Sequence, residues 1–330
     1  MKKIALAAAA ASIFTLSNTA QAQTFCVFDL LGTAGDSYSL MKDYALSAKG
    51  WGADLQLKAY TDERVAAEDF KAGKCDAVSL TGMRGRQFNS FTGSIDAIGA
   101  IPSAKVAQSV MSLMASPKLA SNMVSGNYEV SGVVPLGAAY LFVNDRSLNT
   151  LAKAAGKKVA VLDYDKAQAK MVQQIGAQPV SSDITNFGSK FNNGQVDIIG
   201  APAMAFKPLE LHKGLGSKGA IVRFPILQVT GNVIIRKDKF PAGYGQKSRT
   251  WVASQLPRMN SLLAKQEAAI PAKYWMDIPA NDKVGYVKLM RESRVALTKE
   301  GLYNKSMMSL LKRARCQVEP SSFECALKDE

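Results

Sequence analysis

Two arginines one residue apart, Arg84 and Arg86, stand in the run Ser79-Leu80-Thr81-Gly82-Met83-Arg84-Gly85-Arg86-Gln87. Small residues allow close backbone approach, and a guanidinium offers a fork of donors that matches a carboxylate or phosphate. The chemistry this combination suits is capture of a small anion, with Thr81 as a further donor. Arginines are mostly surface residues, so a solvated loop, or guanidinium groups paired with local acids, is the competing reading. A second candidate is Gly32-Thr33-Ala34-Gly35-Asp36-Ser37, where Asp36 and Ser37 either cap a helix or stand beside N–H groups that face an anion. Tyr164 and Met204, the latter in Gly200-Ala201-Pro202-Ala203-Met204, follow apolar runs and suit a pocket wall. Gln228, Thr230 and Asn232 alternate with Val229, Gly231 and Val233, so the polar three share one strand face, toward a solute or toward water.

Catalytic groups do not assemble. His212 is the single histidine, in Leu211-His212-Lys213 at an expected helix end, where a capping role fits better than general-base work. Gly214-Leu215-Gly216-Ser217-Lys218-Gly219 matches a dinucleotide fingerprint as a string, but a helix precedes it and a strand follows, the reverse of the required order. Thirteen methionines are spread at core-like spacing. No enzyme activity, metal or cofactor is expected.

The elements that must position these residues come in two similar sets. Phe70-x-x-Gly73-x-x-Asp76-Ala77-Val78 returns 121 residues later as Phe191-x-x-Gly194-x-x-Asp197-Ile198-Ile199. Each copy reads as a helix end, a glycine that stops it, and a short buried strand, the closing part of a βαβ unit. Two such units imply an α/β chain of two lobes, each a mixed, mostly parallel sheet flanked by helices. Ligands of open parallel sheets lie at the carboxyl ends of strands, so the ligand cleft is expected between the lobes. In the first lobe the expected elements are strand 25–31, helix 37–48, strand 53–60, helix 62–72, strand 76–81, strand 95–101 and two helices between Pro102 and Met123. A crossover over 128–140 leads to helix 147–155, strand 158–162, helix 165–175, strand 178–181, helix 183–192 and strand 196–200. Strands return over 220–237, and the chain is mostly helical after Pro241, with Pro257 and Pro271 as breaks or kinks. The division is therefore 23–133 for lobe 1, 134–225 for lobe 2, and 226–330 for returning strands and helices that span both.

Residues 1–22 carry Lys2 and Lys3, an apolar stretch from Ile4 to Leu16, and Ala20-Gln21-Ala22, the layout of a cleaved secretory signal. A periplasmic chain that does not itself span a membrane is expected. Thr24 and Phe25 ahead of Cys26 lack the small-residue box of a lipid-modified cysteine. Removal of the leader leaves 308 residues and lowers the formal charge from +14 to +12, because Lys2 and Lys3 leave with it. The remaining lysines are scattered, without interleaved aromatics, which argues against nucleic acid as a partner. Export permits disulfides. Cys26 and Cys75 open strands that are parallel neighbours in a doubly wound sheet, and Cys316 and Cys325 bracket a short tail, so these pairings are expected over buried free thiols.

The order Gly156-x-Lys158-Val159-x-Val161, a helix, Ile175-Gly176-Ala177, a helix, and Phe191-x-x-Gly194-x-Val196-Asp197 resembles the periplasmic solute-binding receptors of tripartite ATP-independent (TRAP) transporters. Residues from Ala66 to Val78 look like the opening βαβ of the same receptors, and the similarity covers most of 24–265. The chain also resembles a group of exported proteins labelled AdeT-like efflux components. The first resemblance implies a receptor that closes on a small organic acid and passes it to a membrane permease; the second implies an accessory component of an RND-type efflux system. TRAP receptors carry an arginine for the ligand carboxylate in the strand after the Gly-x-Lys segment, where this chain has Ala160. With that clamp missing, Arg84 or Arg86 is the expected anchor, and Tyr164, Asn232 and the wall from Ala201 to Met204 the expected pocket.

Overall fold

In the computed structural model, which describes residues 22–330, both copies of the repeat fold into the same three pieces. Helix α2 (Glu63–Lys71) and helix α6 (Phe187–Asn192) each bury a phenylalanine, Phe70 and Phe191, against the sheet. Gly73 and Gly194 then turn the chain with φ of +77° and +67°, a backbone region that suits glycine. Strands β3 (Ala77–Thr81) and β8 (Ile198–Pro202) follow. The repeated aspartate has the same task in both: Asp76 accepts from Thr24 N and Asp197 from Lys158 N, each at 2.9 Å, which pins the start of the neighbouring strand. All but Ala22 of the expected leader lies outside the described residues.

Strand β1 (Gln23–Phe28) pairs in parallel with β2 (Leu55–Tyr60) on one side and β3 on the other, with α1 (Asp36–Lys49) and α2 as crossovers. Strand β6 (Lys158–Leu162) likewise sits between β7 (Gln178–Ser182) and β8, with α5 (Lys166–Gln174) between β6 and β7. Two long antiparallel strands, β5 (Tyr128–Val143) and β10 (Leu227–Arg236), join the halves into the order β2-β1-β3-β10-β5-β8-β6-β7. Each half keeps its own core, one around Phe25, Tyr44, Phe70 and Met307, the other around Phe142, Phe191, Leu211 and Ile221. The expected crossover over 128–140 is thus a single strand that belongs to both halves.

The remaining elements pack around this frame. Short α3 (Gly82–Gly85) follows β3, α4 (Ala104–Leu113) lies in the first half, and β4 (Val124–Ser125) folds onto β5. Short α7 (His212–Leu215) and β9 (Ala220–Val222) precede β10. Helix α8 (Tyr244–Ala268) packs along β5, β11 (Trp275–Met276) pairs with β9, and α9 (Ala280–Lys299) and α10 (Lys305–Val318) close the chain. Both cystines form as expected, Cys26–Cys75 with Cα atoms 5.9 Å apart and Cys316–Cys325 at 5.6 Å.

Four expectations are corrected. Residues 95–101 are buried but form turns, with Ile95 N donating to Thr92 O and Ala97 N to Ser94 O, and Gly99 has φ +60°. Burial alone made that run resemble a strand. Between 147 and 155 only the turn Ala152–Ala154 is helical; Asp145 Oδ1 accepts from Ser147 N at 2.8 Å in a turn at the start of the run, and Asn149 and Thr150 are residue types of low helix propensity. Pro257 does not break α8, which runs through it, whereas Pro271 follows the end of that helix, a break as expected. His212 starts α7 rather than ending a helix.

Candidate ligand-binding site

Where β5 and β10 pass between the halves, their register slips at Val229/Thr230 and again at Val233/Ile234. The first slip leaves Leu136 extra between Pro135 and Gly137, and Gly137 has φ +97°. Bulges bend a strand and increase its twist, so the two halves lean toward one another here. Between them lies a cavity of ≈ 540 Å³, within the range of small-molecule sites. Its wall includes Leu80 from β3, Val134 and Leu141 from β5, Val161 from β6, and Leu227 and Val229 from β10.

The segments after β3 and β6 meet, joined by one ion pair and a tyrosine hydrogen bond. Arg86 Nη1 lies 3.1 Å from Asp165 Oδ1, its Nε donates to Gly93 O at 2.8 Å, and its guanidinium stands 5.2 Å from the Tyr303 ring. Arg84 lies with Nε 3.6 Å from Glu63 Oε2 and its guanidinium 3.5 Å over the Tyr164 ring. The Tyr164 hydroxyl donates to Glu63 Oε2 at 3.2 Å, and Glu63 Oε1 accepts from Thr81 N at 2.5 Å. Glu63 is fully buried, and burial raises its carboxyl above the usual range despite the donors from Thr81 and the charge of Arg84. The result is a polar latch between halves.

Of the residues proposed from the sequence, Thr81, Asp36, Ser37 and Met204 line the cavity. Arg84, Arg86, Tyr164 and Asn232 do not. The arginines are partnered by acids, the competing reading of their loop, and Tyr164 is held beside them. Asn232 is fully buried behind α3 and donates to Thr92 Oγ1 at 3.2 Å. The polar face of β10 is turned away from the cavity, with Thr230 bound to Asp96 and Gln228 in a second depression of ≈ 880 Å³ beside Tyr140, Glu267 and Trp275. The opposite face, Leu227, Val229 and Gly231, lines the cavity instead. Sequence alternation showed that the faces differ but not which one is inside. Asp36 accepts from Gln266 of α8 at 2.9 Å across the cavity mouth. Ala160, in place of the arginine implied by the TRAP resemblance, forms part of the wall.

Asp96 is buried with Oδ1 2.5 Å from Thr230 Oγ1 and Oδ2 accepting from Thr230 N at 3.2 Å. Burial pushes its carboxyl up to about 7, against the lowering effect of Thr230 and Arg86. A pKa raised on folding stabilises the fold below the unfolded pKa and loses that contribution as pH rises through the folded one. Between pH 4 and 7.5 the urea midpoint of the parent is therefore expected to fall relative to that of Asp96→Asn. Parallel midpoints over that range would show that Asp96 keeps an ordinary pKa.

A two-halved α/β fold with a cavity between its halves is an architecture that can enclose a small solute. A family model of the AdeT 1/2 solute-binding proteins matches residues 45–330. The chain is 61% identical over 304 residues to a probable solute-binding protein AdeT1 of Acinetobacter baumannii, covering 92% of this chain and 100% of the relative. It is 29% identical over 235 residues to AdeT2 of the same organism, covering 71% and 99%. The chain belongs to the AdeT 1/2 solute-binding protein family. Its fold is that of TRAP periplasmic solute-binding proteins: one from Desulfovibrio salexigens, solved with orotic acid, superposes with TM-score 0.73 at 14% identity over 90% of this chain and 99% of that one. Another, from Haemophilus influenzae with L-gulonate, gives 0.72 at 12% identity over 88% and 99%. No helix among the described residues is long and apolar enough to cross a membrane.

Proposed function

We propose that this chain is an exported, periplasmic receptor that captures a small organic solute between its halves and delivers it to a membrane permease of the TRAP type. The observation that carries the reading is the interlobe cavity, set beside a bulged two-strand hinge in a fold whose solved neighbours hold orotic acid, L-gulonate or β-D-galacturonate. Those ligands are organic acids, and the solute is placed in the same broad class. Arg84 and Arg86 serve it indirectly, by joining the halves around it. The chain binds and releases rather than transforms.

Native mass spectrometry of the exported protein, recovered without denaturation, tests this. A small-molecule adduct is expected on the parent and is expected to be lost in Ala160→Trp, whose indole would fill the cavity. An adduct retained by a folded Ala160→Trp protein would place the solute elsewhere, and its absence from both proteins, with no organic acid binding when added, would remove the receptor reading.

A further inference from the structure

The interior and the mouth of the cavity differ in kind. Inside, the walls from Leu80, Val134, Leu141, Val161, Leu227 and Val229 are aliphatic. Two polar side chains of this lining, Gln168 and Asp29, are already engaged. Gln168 Oε1 accepts from Leu162 N at 3.0 Å and its Nε2 contacts Met83 Sδ at 3.2 Å. The two oxygens of Asp29 accept from Leu31 N at 2.9 Å and Tyr38 N at 3.1 Å. A carboxylate carried into these walls would lose its hydration with no cation to meet it, a cost of several kcal/mol or more.

The exposed ionisable groups of the lining are at the mouth, on the first turn of α1 and on α8: Asp36, Arg258 and Lys265. Asp36 is held by Gln266, and Arg258 pairs with Asp43 at 2.6 Å. Lys265 is the cation there without an ion-pair partner among the described residues. Two leucines of the same lining, Leu31 and Leu262, are 52% and 37% exposed, so the entrance has an apolar lip.

Resting on the receptor reading above, we infer that the solute is an amphipathic organic acid. Its aliphatic or aromatic body fills the interior, and its carboxylate stays at the mouth beside Lys265. This orientation removes the need for an arginine at position 160, because the charged end is never buried. It also separates the chain from a receptor for compact, hydroxyl-rich acids, whose many hydroxyl groups would meet a largely aliphatic wall.

Calorimetry on the leaderless protein with straight-chain monocarboxylates of increasing length, the matching primary alcohols, and glucuronate tests the inference. Affinity is expected to rise about fourfold per added methylene until the cavity is filled. Glucuronate is expected to bind far more weakly than the longer acids. Lys265→Glu, an exposed change that leaves the core intact, is expected to weaken the acids roughly tenfold and to leave the alcohols unchanged. Glucuronate binding with no response to the alkyl series would overturn the amphipathic solute while the receptor reading stands. Acids that bind Lys265→Glu as well as the parent would overturn the orientation. Binding by no compound would overturn this inference, and the receptor reading would fall with it only if the native protein also carries no adduct.

Discussion

Arg294→Met is expected to lower the free energy of unfolding by about 3–5 kcal/mol, the cost of removing one member of a buried ion group. Arg294 is fully buried between α9 and the chain end, with Nη2 2.7 Å from Glu324 Oε2, Nε 2.8 Å from Glu330 Oε1, and Nη1 donating to Ile98 O at 3.0 Å. Arg315 shares both acids, at 3.0 Å from Glu324 and 2.8 Å from Glu330, and donates to Ala100 O at 2.9 Å. Burial pushes the Glu330 carboxyl up, but the two guanidinium groups hold it below the usual range. The Cys316–Cys325 cystine ties α10 to the turn that carries Glu324. Without Arg294, two carboxylates face one guanidinium in a dry site. Urea denaturation with an unchanged m-value checks the loss, and a change under 1 kcal/mol would show that the cluster is solvated or rearranges freely.

Asp165→Ala is expected to uncouple the halves. The substitution leaves the Arg86 guanidinium largely buried beside Asp96 without its ion-pair partner, at a cost to the joined arrangement of about 3–5 kcal/mol. It also removes the cap on α5, where Asp165 Oδ1 accepts from Ala167 N at 3.0 Å, a loss of about 1 kcal/mol. The bulged strands β5 and β10 supply the pivot. The solution radius of gyration should increase, and solute affinity should fall at least a hundredfold, since every 1.4 kcal/mol spent on re-forming the joined state is about tenfold. Scattering and affinity both equal to those of the parent would mean that the cavity walls alone hold the halves together.

Much of the fold was legible because it rests on local rules. Gly73 and Gly194 stop helices where only glycine is at ease, and the apolar runs after Asp76 and Asp197 have nowhere to go but a sheet interior. Cys26 and Cys75 could be paired because parallel neighbours bring their starting ends together. The site was less legible because its character depends on which face of a strand is inside. Period-2 alternation on β10 separates Leu227, Val229 and Gly231 from Gln228, Thr230 and Asn232, yet only the bulge and the neighbouring strand decide that the apolar set faces the cavity. The arginine pair was assigned to a solute, and in the fold its near partners are acids of the same chain. Glu63 and Asp165, more than 20 and nearly 80 residues away along the chain, meet Arg84 and Arg86 only in the folded state. Asp165 carried a signal that could have been read, as an acidic residue at a helix start opposite a basic loop.

The claim that the cleft between the halves is the binding site is tested most directly by a crystal structure of the protein, purified without denaturation and without added ligand. The expected result is density for a small organic molecule between Leu80, Val134 and Leu141 on one side and Val161 and Leu227 on the other, with its polar end toward Lys265. Density instead in the depression beside Tyr140, Glu267 and Trp275, with the interlobe cavity holding only water, would contradict it.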